Sequence, residues 1–219
     1  MNELSLPAQA YLLACDTGRN RLPDRERVAL LVRAAALTDL VLRGRITDDG
    51  GRPVVAGAGG TGHLVLDDLL AELAADPHRK WRARVRRGAR ETLRSLEAQL
   101  DAAGVITLRT SRVLGVFPRR RPEVRDPASA AALHESVRAA VRSDAPVSAD
   151  VAALTSLAAA VELGAVLPRA SRRRHRDRLA RLAEQSGAAV PALRTVIREL
   201  QAARSATVAM TSGGGGGGG

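Results

Sequence analysis

Arg33–Ile46 reads RAAALTDLVLRGRI. From Val28 to Leu42 nearly every residue is apolar, and the apolar positions run all the way round a helical wheel. A helix apolar on every side is central and buried. This predicts a core built around this helix. Arg33 and Asp39 are the only charged residues of the stretch. Arg33 shares a side with Leu30 and Leu37, at i−3 and i+4. Asp39 lies about 120° away, at about 100° per residue, so it does not neutralise Arg33 within the helix. A guanidinium in such a place needs an anionic partner. That partner is either another segment of this chain or a ligand, and the pattern favours neither.

Composition narrows the field. A chain of 219 residues that is 45% hydrophobic buries a substantial core and is not disordered as a whole. One domain is expected over residues 1–204, with a disordered glycine-rich tail at 205–219 that ends in seven glycines. There is no apolar run of eighteen residues, so no transmembrane helix is expected. The start, MNELSLPAQ, lacks the basic and apolar regions of a secretory signal. Cys15 is the single cysteine and forms no internal disulfide. These features predict a cytoplasmic protein.

The formal net charge is +11, which points to nucleic acid, anionic lipid or acidic protein as partner. Lys80 is the only lysine among the basic residues. The Arg-for-Lys bias is that of a GC-rich, bacterial genome; the positive sign is not explained by it. Tyr11, Trp81 and Phe117 are the only aromatic residues. A single-strand nucleic-acid binder needs more stacking platforms than that.

Along the chain, helices are expected from Leu6 to about Cys15, from Asp24 to about Arg43, from His63 to Ala75 and, without a break, from Lys80 to Ala103. Gly104 stops the last of these. Arg45–Thr47 and Arg52–Val55 read as a small hairpin. Val105–Leu108 and Val113–Phe117 read as a second, turning at Arg109–Arg112, with Pro118–Pro122 as a loop. Gly57–Gly62 reads as a flexible linker; no Lys-Ser/Thr follows it, so it is not a phosphate loop. Further helices are expected at about Ala128–Arg142, Ala149–Leu163, Arg169–Gln185 and Val190–Ala203.

Residues 79–94 hold eight basic residues against Glu91 alone. Guanidinium groups bond phosphate bidentately, so the cluster reads as an anion-binding surface or as a solvated helix face. Arg86, Arg90 and Arg94 follow at four-residue spacing. The apolar residues of Val113–Phe117, followed by Arg119–Arg121, suit either an ordinary core hairpin or one that enters a membrane interface. Catalysis has little support. His63, His78, His134 and His175 lack metal-ligand spacing, Cys15 sits in an apolar helix, and no nucleophile–base pair is apparent. No cofactor is indicated, and the protein is not expected to be an enzyme.

Four segments in order carry a resemblance: LSLPAQAYLLACD at Leu4–Asp16, LVLRGRI at Leu40–Ile46, HLVLDDLL at His63–Leu70 and LDAAGVI at Leu100–Ile106. Together they resemble the Golgi phosphoprotein 3 family, from Leu4 to about Leu200, and the composition is that of a bacterial, actinobacterial-like member. The resemblance implies a mostly helical, single-domain peripheral membrane protein that binds phosphatidylinositol 4-phosphate through a tryptophan and three arginines. Arg33 matches the arginine that precedes the family's LRGR segment. Arg90 matches the first of two family arginines spaced three apart; the second falls on Leu93, and Arg94 or Arg87 stands one turn away. The family's tryptophan falls on Asp24. The long arm that eukaryotic members carry before the LSL segment has no counterpart here.

The expected headgroup site is therefore Arg33 and Arg90, supported by Arg86, Arg87 and Arg94. Val113, Leu114, Val116 and Phe117 form the expected membrane-contact hairpin. The resemblance also implies self-association through that hairpin and client membrane enzymes as partners, on the inner face of the membrane. The rival reading is a DNA-binding regulator of winged-helix type, since a basic helix, two strands and an arginine-rich loop follow one another. The arginine inside an apolar helix speaks against it.

Overall fold

The computed structural model describes residues 4–113 and 117–212. Helix α1 (Leu6–Ala14) leads into α2 (Arg25–Leu42), in which every residue from Val28 to Leu40 is buried. Asp24 caps α2 by accepting a hydrogen bond from the Arg27 amide. The hairpin β1 (Ile46–Asp49)–β2 (Arg52–Val55) follows, then α3 (Leu64–Ala75), α4 (Trp81–Arg86) and α5 (Ala89–Ala102). The ribbon β3 (Ile106–Val113)–β4 (Phe117–Val124) precedes α6 (Pro127–Arg142), α7 (Ala149–Ala160), α8 (Arg169–Arg174), α9 (Arg176–Glu184) and α10 (Ala189–Ser212). The fold is mainly α, as the resemblance implies, with two small antiparallel ribbons. α2 is the hub, in contact with α1, α3, α4, α5, α7 and α10.

Two buried carboxylates fasten the hub. Asp39 accepts the Leu6 amide at 2.8 Å and also holds the Arg43 side chain. It thereby satisfies an amide at the start of α1, which no side chain of its own caps. Glu97 of α5 is fully buried and accepts Arg25 at 2.8 and 2.7 Å and the Tyr11 hydroxyl at 3.1 Å. α1, α2 and α5 meet at that carboxylate. Cys15 beside it is buried core, and burial pushes its thiol up to about 12.

The structure corrects several boundaries. The helix expected over Lys80–Ala103 is broken into α4 and α5 at Gly88, whose φ is +72°. The helix expected over Arg169–Gln185 breaks at His175, and α9 turns to lay Leu179 and Leu182 against the core. The second hairpin is longer than expected: Arg109 pairs with Arg121 and Leu108 with Pro122. A two-stranded ribbon has only edge strands, so Pro118 and Pro122 do not break it. Gly57–Gly62 is not a loose linker. Arg45 donates to the Gly59 and Gly60 carbonyls, and Asp67 accepts the Thr61 amide at 2.6 Å. α10 runs through 205–212, past the boundary expected at 204. Arg204 fastens it by bonding Asp24 at 2.7 and 2.9 Å and Glu26 at 2.9 Å. Leu114 and Val116 of the expected membrane-contact hairpin, and residues 213–219 of the tail, lie outside the described residues; Val113 and Phe117 pair across the ribbon. No helix among the described residues is long and apolar enough to cross a membrane.

Candidate functional site

The break at Gly88 opens the surface of the hub. α2 supplies Arg33 from below, α3 supplies Asp68 and Glu72 along one face, and the α4–α5 turn supplies Arg87. These residues, with Glu91 and Thr92 of α5, line a cavity of about 440 Å3. α5 starts there, with Gly88 as its N-cap and no side-chain cap. Its first amides add partial positive charge.

Arg33 is only 2% exposed, and every nitrogen of its guanidinium has a partner. Nε donates to the Arg84 carbonyl at 3.0 Å, Nη1 to Thr92 Oγ1 at 3.0 Å, and Nη2 to both Glu72 oxygens at 2.6 and 2.7 Å. The anionic partner that the sequence demanded is thus a segment of this chain. Gly88 lies flat against the group: a Cβ there would stand 3.3 Å from Arg33 Cζ. Only glycine combines that close approach with a positive φ.

A second guanidinium lies behind the first. Arg84 is 1% exposed, with Nη1 3.5 Å from Glu72 and Nη2 3.9 Å from Asp76. Its Nε and Nη2 are buried without a hydrogen-bond partner among the described residues. Burial lowers its pKa from the ordinary arginine value, opposed by Asp76 and Glu72.

The five arginines expected at the site do not converge on one point. Arg33 and Arg87 share the cavity. Arg86 and Arg90 line a neighbouring hollow of about 370 Å3 between α2, α4, α5 and α10. There Arg86 bonds Glu199 at 2.8 Å and Arg90 stands 3.6 Å from Glu26. Arg94 is on the outer face, 3.1 Å from Glu91. Gly88 and Glu91 border both hollows. Among the described residues, Arg87 and Asp68 are the charged cavity residues without an ion pair. Trp81 is 5% exposed, and its indole N–H donates to Asp48 of β1. It pins the first hairpin to α4 and does not face the cavity.

Sequence reasoning missed Glu72, Arg84, Thr92 and Gly88. Arg84 had a signal: it stands three residues after Trp81 and beside Val85, on an apolar face. Glu72 had only its four-residue spacing from Asp68. Asp24, where the family's tryptophan would fall, serves instead as the cap of α2 and an anchor for Arg204.

The pattern of the Golgi phosphoprotein 3 (GPP34) family matches residues 6–200 of the chain. The match covers most of the 219 residues, and the chain belongs to that family. No curated protein matches it.

Proposed function

We propose that this Golgi phosphoprotein 3 family member is a peripheral membrane protein that binds phosphatidylinositol 4-phosphate, or a related anionic phospholipid headgroup. The observation that carries this reading is the meeting of Arg33 and the unpaired Arg87 in one cavity, at the uncapped start of α5. Two guanidiniums and a helix N-terminus are a favourable setting for phosphate. In this reading Arg90 and Arg86, in the hollow across Gly88, and Arg94, on the outer face, are supporting charge. The protein acts by binding and is not an enzyme in this reading. It is placed in the cytoplasm on the inner face of the membrane, with Val113, Leu114, Val116 and Phe117 touching lipid. Homo-oligomers through the hairpin and client membrane enzymes are the partners this implies.

Flotation with vesicles tests it. The protein should float with vesicles that contain phosphatidylinositol 4-phosphate and much less with phosphatidylcholine alone. Retention should fall with added salt, because exposed charge is screened over about 8–10 Å near physiological ionic strength. A duplex DNA shift run beside it tests the rival regulator. Tight DNA binding with no vesicle retention would overturn the lipid reading.

A further inference from the structure

Any anion that reaches Arg33 must take the place of Glu72. We propose that Glu72 sets the charge a ligand must bring: a phosphate monoester displaces it from the two buried guanidiniums, and a phosphodiester does not. The inference rests on the reading of the cavity as a headgroup site and adds the selectivity of that site.

One carboxylate serves two cations here. Glu72 Oε1 lies 2.6 Å from Arg33 Nη2 and 3.5 Å from Arg84 Nη1. The other carboxylate near Arg84 is Asp76, at 3.9 Å, and it is already engaged by Arg79. Arg84 still has two buried nitrogens without hydrogen-bond partners. The cluster therefore has donors and positive charge to spare, in a place where uncompensated charge is costly. Both guanidiniums are almost fully buried, whereas the Glu72 side chain is 34% exposed. Of the three groups it is the one able to swing into solvent by side-chain rotation alone, since it borders the cavity and is already partly exposed.

Charge decides what replaces it. A phosphodiester carries one negative charge, as the carboxylate does. Exchange would gain no charge and would lose two short, preformed bonds. A monoester carries about −1.5 to −2 at neutral pH and three strong acceptor oxygens. It compensates both guanidiniums and offers Arg84 an acceptor that Glu72 supplies only at 3.5 Å.

The test compares phosphatidylcholine vesicles that contain either phosphatidic acid, a monoester, or phosphatidylglycerol, a diester. The native protein should bind the first about tenfold more tightly, which is the factor that about 1.4 kcal/mol confers. Glu72→Gln removes the competing charge, so binding to both should strengthen and the monoester preference should fall towards one. Glu72→Asp, which keeps the charge but retracts the carboxylate, should fall in the same direction. A soluble measurement needs no variant: glycerol 3-phosphate should raise the melting temperature of the native protein, and glycerophosphoglycerol should not. Equal binding of both vesicles by the native protein, or an unchanged ratio in both variants, overturns the role of Glu72 and leaves the headgroup site standing. Binding of neither vesicle overturns both.

Discussion

Arg33 is held from three sides, and removing it would cost all three contacts at once. Glu72 would face Arg84 alone, and the Arg84 carbonyl and Thr92 hydroxyl would lose a donor. Breaking a buried ion pair costs about 3–5 kcal/mol. Arg33→Ala should therefore lower the melting temperature strongly, whereas Arg90→Ala should cost about 0–1 kcal/mol, because its side chain is 73% exposed. Thermal unfolding followed by circular dichroism separates the two, and near-native stability of Arg33→Ala would show that the pair is not structural. The need for a partner was legible at this position, because an apolar helix leaves a guanidinium nowhere else to go. The identity of that partner was not. Position 72 is fixed as a neighbour only when α3 comes down on α2, and no local spacing encodes that approach.

Among the elements, the break between α4 and α5 does most to shape the cavity. Gly88→Ala would put a side chain at φ +72°, 3.3 Å from the guanidinium carbon of Arg33. The left-handed conformation alone costs a side-chain-bearing residue about 1–2 kcal/mol, and the displaced guanidinium adds to that. Urea unfolding of Gly88→Ala should show a lower midpoint, and an unchanged midpoint would refute the tight fit. The break was hidden in the sequence because Val85 and Ala89 stand four apart across it. The apolar stripe continues as though one helix ran through. The second ribbon was underestimated for a related reason: prolines and arginines read as loop, yet a ribbon with two edges accepts both. The glycine-rich segment read as slack because its anchors, Arg45 and Asp67, lie outside it.

For the whole molecule, the class of fold was legible in the succession of helical segments and in the family resemblance, and the helix that is apolar on every side marked the centre of the core. The chain's far end was less legible, since α10 is held by a contact between residues 180 apart. Arg204 joins that helix to Asp24 and Glu26. Its hydrogen bond holds the Asp24 carboxyl below the ordinary carboxylate range. A carboxylate whose pKa is lowered by folding contributes stability above its unfolded pKa and loses it as pH falls. Arg204→Ala should therefore be less stable than the native protein at neutral pH, and the difference should shrink as pH drops below about 4. Exposed pairs are worth about 0–1 kcal/mol each, which in a chain of this size is about 2–4 °C per kcal/mol. Melting curves at the two pH values check this, and a difference that does not change with pH would refute it.

The bond between Arg33 and Glu72 also makes the docking of α3 a condition for burying α2 without penalty. Its two ends are 39 residues apart and lie on two separate helices. A partly folded state with α2 enclosed but α3 not yet docked would hold a dehydrated cation without a counter-ion, at a penalty of several kcal/mol. That penalty disfavours any state in which the guanidinium is buried and its carboxylate is not yet beside it. The charge inside the central helix thus links burial of the hub to docking of α3, adding an electrostatic tie to the apolar contacts that Leu66, Leu69 and Leu73 already make with the core.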